Sequence, residues 1–227
     1  RDGAAARAAG DAPAGDHAPV DKASVASKAS PDPVSPGADK ALPLPLPDIA
    51  CPPRDGEHVE RFPGTDKVRC RGAYVNGLKQ GSWKTWDEGG QLREDCSWDK
   101  GLKEGPELAW FASGQRCCVG QNHSGKRVGS WQWFYESGSP DHSYVYDDQG
   151  RKHGPHIWDL PSGDKRARGQ FVEDKFHGHW SWWHEKDPFH IERGYHHGLQ
   201  HGKEEGFFAD GAPAYRRAWR YGQKDGL

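Results

Sequence analysis

Seven glycines mark the chain at almost constant intervals: Gly81, Gly105, Gly129, Gly154, Gly178, Gly202 and Gly226, separated by 24, 24, 25, 24, 24 and 24 residues. A second column lies four residues earlier, at Gly77, Gly101, Gly125, Gly150, Gly198 and Gly222. A third lies nine residues later, at Gly90, Gly114, Gly138, Gly163 and Gly211. Three columns in phase mean a repeat architecture, in which each unit buries its apolar face against the next copy. In the unit of Gly178, the second and third columns hold Asp174 and Asp187 instead. Aspartate is among the few other residues that tolerate positive φ. The columns therefore read as left-handed turn positions, for which glycine is the default.

Short runs with strand composition lie between the glycines. Ser82–Asp87 carries Trp83 and Trp86, Glu107–Phe111 carries Trp110, Ser130–Tyr135 carries Trp131 and Trp133, and His179–His184 carries Trp180, Trp182 and Trp183. The other half of each unit supplies Tyr74, Trp98, Phe171, Tyr195 or Trp219, seven residues before the phasing glycine. Each unit reads as two strands of about five to six residues joined by glycine turns. No stretch shows capped helical periodicity. The expected fold is all-β: an elongated single sheet of about seven stacked antiparallel hairpins, because one hairpin alone is marginal in water.

Composition sets the ends of this array. Residues 1–50 hold no Trp, Tyr or Phe and are rich in Ala, Pro, Asp, Ser and Gly, so they cannot bury enough surface to offset their ordering entropy. They are expected to form a disordered tail or stalk, with polyproline II over Leu42–Pro47. Residues 51–71, with Gly56 roughly in phase, are expected to cap the array, and 72–227 to carry the repeats. The last unit is incomplete at Lys224–Leu227, and the chain starts with Arg, so a processed form or fragment is expected.

The repeats also carry a resemblance. The segment Gly72–Trp83, and the stretches around Lys152-His153-Gly154 and Lys175-Phe176-His177-Gly178-His179-Trp180, are similar to MORN repeats. The Gly-x-Trp step followed by aromatics and an Asp/Ser-Gly turn resembles the bacterial, antitoxin-like variant of that family. The resemblance covers about residues 54–227. It implies a scaffold of stacked hairpins that mediates protein contacts, with membrane-lipid binding as a suggested activity. Glu107, His156 and Glu204 stand at the main Trp position, and Asn122 replaces the Tyr; those units are expected to pack less well.

Charge and motif chemistry narrow the function further. The formal net charge is −2 with acids and bases interspersed, which argues against nucleic acid and makes a membrane surface a weak reading. No apolar run approaches the ~20 residues that cross a bilayer. His153, His177 and His201 recur in register, but neighbouring units would set them roughly 10 Å apart, too far to share one ion whose ligands lie about 2 Å from it. The group His196, His197 and His201 is the better metal candidate, although the overall expectation is no metal and no cofactor. No carboxylate pair, nucleophile elbow or phosphate loop stands out, so no catalysis is expected.

Five cysteines occur, at 51, 70, 96, 117 and 118. A Cys51–Cys70 disulfide would close a loop worth about 3 kcal/mol in an exported or cell-envelope protein; five reduced thiols in the cytoplasm is the alternative. Tandem aromatics must point to opposite faces of a strand. Trp83, Trp86, Trp110, Trp131, Trp158 and Trp183 are therefore candidate contacts to an unidentified protein partner or, alternatively, to a glycan.

Overall fold

The computed structural model describes residues 54–185 and 189–226. The tail expected over 1–50, Cys51 and Asp187 lie outside the described residues, and with Cys51 the proposed disulfide to Cys70. The rest is one antiparallel sheet of fifteen strands, each paired with the next in chain order. They are β1 (Gly56–Arg61), β2 (Val68–Val75), β3 (Leu78–Trp86), β4 (Leu92–Asp99), β5 (Leu102–Trp110), β6 (Arg116–His123), β7 (Lys126–Phe134) and β8 (Pro140–Tyr146). They continue as β9 (Gly154–Asp159), β10 (Lys165–Val172), β11 (Lys175–Trp183), β12 (His190–His196), β13 (Leu199–Phe207), β14 (Pro213–Arg220) and β15 (Gln223–Lys224). The all-β hairpin array expected from the spacing is thus what forms. Most strands are longer than the five or six residues expected: β2 has 8 and β3 has 9.

Except for Gly226, which follows β15, the phasing glycines lie within or at the start of strands and not in turns. Arg71 faces Lys84 and Ala73 faces Gln80, so Gly72 alone stands against Gly81, Ser82 and Trp83. The surplus residues form a bulge, and Gly81 supplies its positive φ of 72° at no steric cost. Gly105, Gly129, Gly154, Gly178 and Gly202 share the positive φ inside or at the start of their strands. The second column does form turns. Asn76-Gly77, Lys100-Gly101, Ser124-Gly125 and His197-Gly198 have positive φ at both residues, and so does Glu173-Asp174, the pair without glycine. Paired positive φ defines the I′ turn whose twist matches that of its flanking strands.

Gly150 is the exception in that column. Here the 25-residue unit uses a longer turn, in which the Gly150 N–H donates to the Asp147 carbonyl and the Asp147 N–H to the Arg151 carbonyl. The Asp147 carboxylate accepts from the N–H groups of Gln149 and Arg151. The same backbone pattern closes the third-column turns, as at Asp87–Gln91. The inserted residue has exchanged one hairpin type for the other.

Adjacent units are tied at their I′ tips. The Gly101 and Gly125 N–H groups donate to the carbonyls of Lys79 and Lys103, one unit back. At the first tip among the described residues, the Asp55 carboxylate takes the Gly77 N–H at 2.9 Å. That bond and the Asn76 N–H hold Asp55 below the usual carboxylate range. Within the stretch 51–71 expected as a cap, β1 pairs with β2 as a single added strand.

Candidate functional site

One face of the sheet carries a single row that runs from strand to strand. In order it reads His58, Gly72, Trp83, Cys96, Glu107, Gly120, Trp131, Tyr144, His156, Gly169, Trp180, Arg193, Glu204, Arg217. Every tryptophan in it follows a glycine. A Cβ on Gly72, Gly120 or Gly169 would stand 2.2, 2.1 or 2.1 Å from the indole of Trp83, Trp131 or Trp180. The indole therefore lies flat on bare backbone. Its N–H donates to the carbonyl just past the glycine: Ala73 at 3.2 Å, Gln121 at 2.9 Å and Gln170 at 2.9 Å. All three indoles are buried.

In the alternate units the glycine is replaced by Cys96, Tyr144 or Arg193, and the Trp by Glu107, His156 or Glu204. These units do not pack poorly, contrary to expectation, for Glu107, His156 and Glu204 are as buried as the indoles. Glu107 accepts from Asn122 Nδ2 at 2.6 Å and Lys103 Nζ at 2.8 Å. Glu204 accepts from Trp219 Nε1 at 2.6 Å, Tyr215 OH at 3.0 Å and Gln200 Nε2 at 3.3 Å, with the guanidinium groups of Arg193 and Arg217 each at 3.5 Å. His156 stacks on Tyr144 at 4.5 Å and holds the Ser143 carbonyl through Nδ1. Burial pushes its imidazole down to about 4. The substitutions at the Trp and Tyr positions compensate one another, which is why Asn122 accompanies Glu107.

A second column closes this face. Lys79 lies 4.7 Å over Trp83, Arg127 4.7 Å over Trp131 and Lys152 3.8 Å over Tyr144, at cation–π range. Lys103 bridges Glu94 and Glu107 at 2.6 and 2.8 Å; burial pulls it down, but the two carboxylates outweigh that and raise it.

The six tryptophans singled out in the sequence fall into different places. Trp83 and Trp131 are covered, at 3% and 0% exposure. Trp158 shares their face, half-buried beneath Arg166. Trp86, Trp110 and Trp183 stand half-buried at the wide-hairpin ends of β3, β5 and β11. Trp183 stacks on His190 at 6.2 Å and His190 on Phe207 at 4.6 Å. Tandem residues do diverge: Trp182 is buried at 9% exposure and Trp183 is not.

Of the recurrent histidines, His177 serves a tip. His177 Nδ1 accepts the His197 N–H at 3.5 Å, as Gln80 and Glu104 accept from Lys100 and Ser124. His196, His197 and His201 do gather, with ring centres 4.7 and 5.9 Å apart. Their donor atoms do not converge on one point in the way a metal requires, a condition that His58, Glu60 and Cys70 meet among the described residues.

The opposite face has its own continuous row: Val59, Arg71, Lys84, Asp95, Leu108, Val119, Gln132, Ser143, Ile157, Arg168, Ser181, Glu192, Glu205, Arg216. Its ends are charged and largely paired, as in Lys84–Asp95 at 3.1 Å and Arg216–Glu205 at 2.8 Å. Its middle, Leu108 to Ile157, has no charge. The row on one side is also uncharged there, through Pro106, Gln121, Ser130, Val145 and Pro155, whereas the other side carries Arg116, Asp141 and Asp159. No signal along the sequence marks this patch, because its members lie on five strands with different spacings. A scan against protein-family models finds no match for the chain, and a search of curated proteins finds none either.

Proposed function

We propose that the chain is a non-catalytic repeat scaffold that binds a protein partner on the uncharged centre of its outer face. The observation that carries this reading is the charge-free stretch Leu108–Val119–Gln132–Ser143–Ile157 in a chain of which 28% is charged. A desolvated, uncharged centre inside a polar rim is how protein interfaces are built, and Ile157 is 43% exposed. The other face supports the reading by subtraction, since Trp83, Trp131 and Trp180 are already packed on glycine and covered, the first two by cations and the third by Phe176. The likeness to MORN repeats in segments such as Gly72–Trp83 points the same way.

The test is a photo-crosslinking residue placed at Gln132 and, as a control, at Lys203. The expected result is one partner adduct at Gln132, lost when Ile157→Lys is added, and none at Lys203. Equal adducts at both positions, or none at either, would remove the proposal. The second reading is a glycan surface, favoured by the half-buried aromatic stack Trp183–His190–Phe207. Shielding of Trp fluorescence from acrylamide by added glycan, abolished in Trp183→Ala, is its signature.

A further inference from the structure

We propose that His58, Glu60 and Cys70 form a binding site for a zinc-like divalent cation at the first edge of the sheet. His58 and Glu60 are two residues apart on β1 and so share a face. Cys70 sits directly across from Glu60 on β2, and His58 across from Gly72. One donor atom from each lies within 4.8 Å of the other two. Cys70 Sγ is already 3.3 Å from Glu60 Oε2. Ligands at ~2.0 and ~2.3 Å around a tetrahedral ion stand about 3.5 Å apart, so a shift of about 1 Å in side chains completes the set.

Two further observations point to a ligand. His58 Nε2 is buried and has no hydrogen-bond partner, although a buried ring nitrogen ordinarily finds one. Arg69 holds Glu60 through Oε1 at 2.7 Å, which fixes the carboxylate and leaves Oε2 turned to the thiol. A neighbouring cluster one unit on is held from within the chain. There the Lys103 ammonium stands between Glu94 and Glu107, beside Cys96. At the edge the matching lysine, Lys79, is near enough for its charge to act on Cys70, but its ammonium lies over the Trp83 and Trp98 rings at 4.7 and 4.6 Å, and a histidine nitrogen stands beside Glu60 and Cys70 instead.

A sulfur, an imidazole and one carboxylate suit a borderline-soft ion and disfavour calcium or magnesium. Burial and the adjacent Glu60 push the Cys70 thiol up to about 11. Without a cation the thiol keeps its proton and donates it to Glu60. On binding, the Sγ–metal bond forms, the Cys70 proton leaves to solvent, and the ion sheds water molecules from the positions the three residues take. The remaining position stays open to water. The consequence is a clamp on β1, the first strand among the described residues.

The test uses the full chain, kept reduced with a phosphine, and cobalt(II) as the probe. The expected result is a thiolate-to-cobalt charge-transfer band that saturates at sub-millimolar metal and is absent in Cys70→Ser. Affinity should fall at least tenfold in His58→Ala and Glu60→Gln and stay unchanged in Cys118→Ser and His197→Ala. Zinc should raise the melting temperature of the wild type and not of Cys70→Ser. If Cys70→Ser does not fold, the Glu60→Gln titration decides alone. No band in the wild type, a band that survives Cys70→Ser, or an unchanged affinity in Glu60→Gln overturns the site.

Discussion

The units built on Trp131 and on Glu204 fill the same place in the sheet by opposite chemistry. At Trp131 the space comes from Gly120, the indole covers the backbone, and one N–H finds one carbonyl. At Glu204 the opposing residue is Arg193, and the carboxylate collects three hydrogen-bond donors and two guanidinium groups. The first solution depends on shape, because a large ring tolerates no extra atom beneath it. The second depends on satisfaction, because a buried charge is stable only when fully partnered. A repeat position is thus a volume with a fixed backbone frame, and unlike side chains can occupy it provided their neighbours change with them.

The sharpest test removes each centre. Glu204→Leu should destabilise by about 4 kcal/mol, since it leaves the Trp219 N–H and the Tyr215 hydroxyl without this acceptor and removes a carboxylate beside buried Arg193. Trp131→Ala should cost a similar amount, about 4 kcal/mol, through lost packing. Urea titration of both variants checks this; a neutral Glu204→Leu would break the comparison by showing that shape alone suffices there.

The next effect is smaller. Gly120→Ala should cost about 3 kcal/mol because its methyl meets Trp131. The double variant with Trp131→Ala should be no less stable than Trp131→Ala alone, since the collision is gone. Additive losses in the double-mutant cycle would mean that Gly120 is needed for some other reason.

The histidine unit adds a pH-dependent case. His156 is held neutral, with its folded value near 4 against 6.5 when unfolded. The unfolded chain therefore binds the extra proton first, and stability present above about pH 6.5 is lost as the pH falls toward 4. The loss attributable to this residue is about 3 kcal/mol by linkage. His156→Phe should flatten the melting-temperature profile between pH 7 and 4. An unchanged slope would assign the dependence to other groups.

The period, the I′ tips and the strand composition were legible because each is local: two adjacent residues fix a turn, and a short run fixes a strand. Asp174 was readable for the same reason, as it meets the positive φ by itself, at 65°. The role of Gly81 was not, since a positive φ looks alike in a turn and in a bulge, and only the partner strand tells them apart. Gly72, Gly120 and Gly169 escaped notice because they recur in every second unit and so fall outside columns spaced by one. The departures Glu107 and Asn122 were visible singly, but their bond joins residues 15 apart. Placing Cys70 beside His58 likewise required the register of β1 on β2.

That alternation has a consequence for the length of the array. The interval from Trp83 to Trp131 is 48 residues and from Trp131 to Trp180 is 49, so the structural module is a doublet of hairpins, not a single one. Excising one hairpin would bring two indole-bearing neighbours side by side, where the spacer chemistry of Cys96, Tyr144 or Arg193 normally intervenes. Shortened or extended versions should accordingly fold well when whole doublets are removed or duplicated, and badly when the count changes by one.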